Sequence, residues 1–289
     1  MTSAAITGPS SSGTLGVPPF GLLNSGAICY INSLTQSLIS CAPVVEAIKK
    51  CDPKKSEAVK IFQELIKSDK QGRPLGVKNV AGMVALLAAR HKHFGMGQED
   101  ASEGFDLLLD IMGPTFEQAF TSHWLVNIYC DGCRTLVSSP TTDIMNRIIM
   151  ERHYEPLLAD KGVDEYVSGH VTQVSHYRCP KCKKDKVPAM KVSRMIKPPQ
   201  VLIISFNKFM NKWHDEEHRT TMTIRYGKHQ EHKKCYRLAA VVEHHGGRRG
   251  GHYVARARRP GGTYLFNDSR VAPSTLLPGR PNDYILFYV

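Results

Sequence analysis

The chain has 289 residues, 42% hydrophobic and 22% charged, enough to bury a sizeable core as one large domain or two small ones. Lys and Arg outnumber Asp and Glu by 38 to 26, a formal net charge of +12. This excludes an acidic solvating chain and points only generally to an acidic partner or nucleic acid. The eight cysteines are too few for a disulfide framework, residues 1–13 lack the basic start and apolar centre of a secretory signal, and no apolar run is long enough to span a membrane. A cytosolic or nuclear protein with no membrane partner is expected.

Residues 1–18 are rich in Ser, Gly, Ala and Thr and end near Pro18-Pro19, so they read as a disordered leader. In Gly21-Leu22-Leu23-Asn24-Ser25-Gly26-Ala27-Ile28-Cys29-Tyr30, a turn feeds a helix with apolar residues at Tyr30, Leu34, Leu38 and Cys41. Cys29 falls on the first turn, where unpaired N–H groups and the dipole favour a thiolate. Taken alone, a cysteine there reads first as a small buried apolar residue. Asn24 can donate its amide to an oxyanion, or serve only the turn.

Residues 57–67 place Val59, Ile61, Phe62, Leu65 and Ile66 on one stripe. Asn79 is a candidate cap for a helix over 80–90, and residues 98–112 continue the helical pattern through Phe105, Leu108, Leu109 and Met112. From Trp124 strands dominate. Two Cys-x-x-Cys pairs, Cys130/Cys133 and Cys179/Cys182, supply four thiolates, a tetrahedral structural zinc set with no position left for water. Free thiols or a disulfide pair are the bland alternative. Cys41, Cys51 and Cys235 read as buried or idle.

Residues 201–206, Val-Leu-Ile-Ile-Ser-Phe, suit a fully buried strand. Loops over 207–223 and 243–251 are candidate gates, the second rich in Gly, His and Arg. Arg248 and Arg249 read as a solvated face rather than as charges acting on Cys29. Gly250-Gly251-His252-Tyr253 opens a strand, Pro260-Gly261-Gly262 turns it, and Thr263 to Asp268 returns. His252 is the candidate base for a thiol nucleophile, and Asn267 or Asp268 can fix its tautomer. An ordinary strand-end turn is the alternative for Asn267-Asp268. Helices first and strands later argue an α+β fold.

The Cys29 segment resembles the cysteine box of the ubiquitin-specific proteases, Gly-Leu-x-Asn-x-Gly-x-Thr-Cys-Tyr-x-Asn-Ser. Gly250-Gly251-His252-Tyr253 with Asn267-Asp268 and Val271 resembles their histidine box. Residues 98–105 resemble the family segment Gln-x-Asp-Ala-x-Glu-Phe, and Asp283-Tyr284-Ile285-Leu286-Phe287-Tyr288 the final core strand. The four occur in family order and span nearly the whole chain. Ile28 stands where the family has Thr, Tyr264 where Trp is common, and Gly104 is an extra residue between Glu103 and Phe105.

The resemblance implies a papain-like cysteine protease in residues 19–289, with a helical thumb over about 19–122, zinc-tipped β fingers over about 123–200 and a β-sheet palm over about 201–289. It implies Cys29 as nucleophile, His252 as base, Asn267 as third triad member, Asp268 as the adjacent acid and Asn24 as oxyanion donor. Gln98, Glu99, Asp100, Glu103, Gly251 and Tyr253 are the implied substrate contacts. The implied substrate is ubiquitin or a ubiquitinated protein, whose tail Arg-Leu-Arg-Gly-Gly is basic and would meet Glu99, Asp100 and Glu103. Another modifier ending in Gly-Gly, or an inactive ubiquitin-binding module, are the alternatives. Basic residues are scattered and no aromatic–basic motif appears, so nucleic acid is not the expected partner.

Overall fold

A computed structural model describes residues 16–67, 78, 80–95, 97–137, 141–150, 159–206, 220–247, 250–277 and 282–289. Residues 1–15 of the expected leader, Asn79, Arg248, Arg249 and most of the first candidate gate (207–219) lie outside the described residues. Val17, inside the segment read as a leader, is buried in the core.

Six helices come first: α1 (Cys29–Leu38), α2 (Ala42–Lys50), α3 (Glu57–Ile66), α4 (Ala81–Arg90), α5 (Ala101–Met112) and the short α6 (Pro114–Glu117). A 3-10 turn at Lys92–Gly95 separates α4 from α5. The stripes seen in sequence are the packed faces: Ala58, Val59, Phe62 and Leu65 of α3 are buried, as are Phe105, Leu108, Leu109 and Met112 of α5. Helix α5 is continuous through Gly104. A Cβ there would lie 3.3 Å from Leu34 Cδ1 and Tyr30 Cδ2, so the missing side chain lets α5 approach α1 closely.

The strands follow: β1 (Ser122–Cys130), β2 (Thr135–Leu136), β3 (Thr141–Met145), β4 (Ile148–Met150), β5 (His170–Tyr177), β6 (Val187–Lys197), β7 (Leu202–Phe206), β8 (Thr221–Tyr226), β9 (His232–Gly247), β10 (Gly250–Arg259), β11 (Gly262–Asn267), β12 (Arg270–Pro273) and β13 (Asp283–Tyr288). One sheet has the order β2-β1-β6-β5 with β3 also on β1, and forms the fingers. The other, β12-β11-β10-β9-β13-β7-β4 with β8 on β9, forms the palm. One face of the palm packs against the helices. The opposite face joins the base of the fingers in a second core around Trp124, Met195, Ile204 and Tyr236. Covering both faces explains why β7 and β13 are mostly apolar and buried at every position, Ser205 and Asp283 included.

Strands dominate from residue 122 as expected, with one helix among them, and one loop expectation is corrected. Helix α7 (Ala159–Gly169) interrupts the strand-rich half. Its Val163 and Val167 are buried and its Tyr166 stands edge-on to Trp124, 5.8 Å between centroids. That spacing is helical and was submerged among charged residues. In the second candidate gate, residues 243–247 and 250–251 are instead paired strand, with Glu243 opposite Val254 and His245 opposite His252. Antiparallel pairing holds the four described glycines in a ladder. Among the described residues, no helix is long and apolar enough to cross a membrane.

Because Gly104 meets α1 side chains directly, replacing Gly104 with Val should lower stability by about 1–3 kcal/mol through overpacking. Denaturant midpoints for the two proteins check this; equal midpoints would mean that α5 and α1 are not packed tightly.

Candidate active site

Gly21 passes so near the turn after β11 that a Cβ would lie 2.3 Å from the Ser269 carbonyl oxygen, so only glycine fits. Leu22 N–H donates to the Asp268 carbonyl at 2.8 Å, and Leu23 N–H to the Lys78 carbonyl at 2.8 Å. These contacts aim the following turn at the palm. Asn24 Oδ1 accepts from the N–H groups of Gly26 and Ile28, at 3.1 and 3.4 Å, which shapes the entry to α1.

Cys29 is the first residue of α1 and is only 2% exposed. Burial pushes its thiol above the ordinary value of 9.0, and the Asp268 carboxylate pushes it the same way. The backbone N–H of Tyr253, then those of Tyr30 and Cys29, pull against the rise. The backbone N–H groups at the helix start thus pull the thiol's pKa down as its position in sequence suggests, but desolvation outweighs them.

Tyr253 directly follows His252 on β10 and is buried in the same core cluster as Cys29. His252 Nε2 lies 2.7 Å from Asn267 Oδ1. With an amide oxygen as acceptor, Nε2 carries the hydrogen and Nδ1 is left as the acceptor. Asp268 Oδ2 is 4.0 Å from the same Nε2. Asp268 also accepts from Asn24 Nδ2 at 2.9 Å and from Asn32 Nδ2 at 2.7 Å. It sits at φ +52°, a left-handed turn that Asp tolerates. The sequence reading did not single out Asn32. Its signal is its place three residues after Cys29, a polar group on a helix buried at every position.

The other candidate residues fall into two groups. Gln98 Oε1 accepts the Gly251 N–H at 2.8 Å, bridging the start of α5 to β10. A Cβ on Gly251 would lie 2.4 Å from His244 Nε2, so the backbone is packed from beneath. Glu99 and Glu103 face His93, at 3.9 and 3.3 Å. Burial, the largest cause, raises the Glu99 carboxyl, and His93 opposes it. Asp100 is engaged internally: Oδ1 caps α5 through the N–H groups of Ser102 and Glu103, and Oδ2 accepts from Tyr284 Oη. The Tyr253 ring is buried against His244, 4.5 Å between centroids.

At the far end of the fingers, Cys130, Cys133, Cys179 and Cys182 bring their sulfurs within 4.8 Å of one another. The Cys133 and Cys179 sulfurs are 3.9 Å apart. Four sulfurs at about 2.3 Å from one ion would be about 3.8 Å apart, so the set fits a tetrahedral metal site. Arg134 and Lys183, directly after each pair, both have positive φ, +53° and +61°, and curl the two turns alike. Cys41 and Cys51 are buried as expected; Cys235 is exposed.

A family model described as ubiquitin carboxyl-terminal hydrolase matches residues 20–288. The chain belongs to the ubiquitin carboxyl-terminal hydrolase family. It is 28% identical over 165 residues to a probable ubiquitin carboxyl-terminal hydrolase of Acanthamoeba polyphaga mimivirus, covering 51% of this chain and 35% of that protein. It is 24% identical over 312 residues to ubiquitin carboxyl-terminal hydrolase 17-like protein C of Mus musculus, covering 94% of this chain and 55% of that one. The chain therefore spans about half or less of these curated relatives. Its fold is similar to that of the SAGA Ubp8/Sgf11/Sus1/Sgf73 DUB module bound to ubiquitin aldehyde, with TM-score 0.68 and 22% identity over 96% of this chain and 70% of that chain.

The raised Cys29 pKa has a sign that can be tested. Iodoacetamide reacts with the thiolate, so labelling of this family member at Cys29 should climb with pH to a midpoint above 9.0 and show no acidic plateau. Mass spectrometry of the Cys29 peptide across the pH range reads this; a rate already constant below neutrality would mean a standing thiolate–imidazolium pair.

Proposed function

We infer that this chain is a cysteine-type deubiquitinase that cleaves the peptide or isopeptide bond after a C-terminal Gly-Gly of ubiquitin. One observation carries the reading. His252 is held by Asn267, whose neighbour Asp268 binds Asn24 and Asn32 on either side of Cys29, so one turn draws nucleophile, base and orienting amide together.

With Nε2 occupied by Asn267, His252 Nδ1 takes the Cys29 proton as the sulfur attacks the glycine carbonyl. The oxyanion is met by N–H groups at the start of α1 and by Asn24, whose Nδ2 has a second hydrogen beyond the one given to Asp268. The imidazolium returns its proton to the leaving lysine amine, which leaves an acyl-enzyme. Water then attacks, gives its proton to His252, and frees the glycine carboxylate and the thiol. Asn267 orients His252 without adding charge, so the nearby Asp268 carboxylate supplies the field that favours imidazolium.

Glu99 and Glu103 are the acidic groups available to a basic substrate tail. Asp100, the third implied acid, also accepts from the start of α5 and from Tyr284 Oη. A structural zinc ion held by the four cysteines would fix the fingers and take no part in the reaction. Free thiols and metal thiolates both suit a reducing compartment.

Replacing Cys29 with Ala should abolish cleavage of ubiquitin carrying a C-terminal fluorophore and leave ubiquitin affinity intact. Continued turnover would refute the nucleophile, and an inert parent protein that binds ubiquitin would favour a binding module. Running the same assay beside other Gly-Gly-ending modifiers separates ubiquitin from its relatives. For the metal, elemental analysis should give one zinc per chain, and chelation should lower the melting temperature while Cys29 alkylation is unchanged; stability indifferent to chelation would remove the zinc assignment.

A further inference from the structure

Arg259 is the last residue of β10, seven residues beyond His252, and is only 7% exposed. Among the described residues its guanidinium meets no carboxylate. One terminal nitrogen donates to the Gln36 carbonyl at 2.9 Å and to Gln36 Oε1 at 2.8 Å. The other donates to Ser40 Oγ. The group lies over the Phe266 ring, 5.2 Å from its centroid, and its Nε has no partner. Burial lowers the guanidinium pKa, to about 9, which leaves it charged at neutral pH. The neighbouring Cys41 thiol is pushed up by burial to about 12 and offers no anion.

A buried charge without a counter-ion is costly, and an apolar side chain of the same length would fill the space without that cost. The cation's return comes from its location. Gln36 and Ser40 mark the C-terminal end of α1, where unpaired carbonyls and the negative end of the dipole collect. The first residue of that helix is Cys29. At the opposite end, Cys29 and Tyr253 of the same strand are buried in one core cluster. Strand β10 therefore packs along α1 and is bonded to its C-terminal end through Arg259, with His252 next to Tyr253. The Gln36 amide also donates to the Phe20 carbonyl at 2.7 Å, extending the hold to the segment that leads into Gly21.

We propose that Arg259 is a positioning residue that fixes α1 along β10 and thereby sets where the Cys29 sulfur lies relative to His252. This rests on the reading of Cys29 as nucleophile and His252 as its base. The bonds to Gln36 and Ser40 are the device: without them the helix end is free to slide on Phe266 and Cys41, and the sulfur moves with it.

The test is Arg259→Met, an unbranched apolar replacement, read by melting temperature, by Cys29 alkylation against pH, and by kinetics on ubiquitin with a C-terminal fluorophore. The melting temperature should stay or rise. The alkylation midpoint should move further up in pH, and kcat should fall about tenfold or more with KM unchanged. Alkylation needs no substrate, so a parent protein inert to ubiquitin would remove the substrate reading while the alkylation shift still upheld the clamp. Wild-type alkylation and kcat in Arg259→Met, whatever its melting temperature, would overturn the proposal. Should that variant not fold, Ser40→Ala removes one acceptor at a half-buried position; about a threefold fall in kcat with the same alkylation shift supports the clamp, and wild-type values overturn it.

Discussion

The Asp268 carboxylate is the contact on which the site depends. It binds amides from both ends of the cysteine segment, Asn24 before Cys29 and Asn32 after it, while its own backbone carbonyl accepts from Leu22. Its neighbour Asn267 holds His252. Residues more than 200 positions apart are thus joined through one turn at the end of β11. The turn is tight because Asp268 adopts a left-handed conformation and because Gly21 crosses Ser269 with no side chain. The same carboxylate also raises the Cys29 pKa, so the group that assembles the site disfavours a free thiolate before substrate arrives. Assembly and resting reactivity oppose each other, and the protein favours assembly.

The parts of the molecule that were legible in sequence are those where residue type and spacing carry the physics. A turn before Cys29, a double glycine before His252, and Asn267-Asp268 after a second strand predict a helix start facing a hairpin, and the structure has that arrangement. The fully buried strand at 202–206 was likewise visible as an unbroken apolar run. Helix α7 was hidden because its apolar stripe is only Val163, Tyr166 and Val167 among charged neighbours, and it is completed by Trp124 and His170 from other elements. Residues 243–251 looked like a loop because Gly, His and Arg are poor strand formers. Their pairing comes from register with β10, which no local pattern encodes.

Asp100 and Arg259 show the limit of reading charge from sequence. Asp100 sits in an acidic cluster that suggested a contact for a basic tail, yet its oxygens also bond the start of α5 and Tyr284. Arg259 is one of the scattered basic residues of the sequence, yet its head group is in the core at the end of α1. The net charge of +12 has a comparable local account at the fingertip. Arg134, Arg178, Lys181, Lys183, Lys184 and Lys186 are all exposed around the four cysteines. Four thiolates around one dication would leave a net negative centre, and these cations are placed to offset it.

Strand β13 is made after every other strand, yet it lies in the interior of the palm sheet, between β9 and β7. Until residues 283–288 are in place, the facing edges of β9 and β7 have no partner there, so the palm sheet stays split, with strand edges open to pairing with other chains, until β13 is inserted.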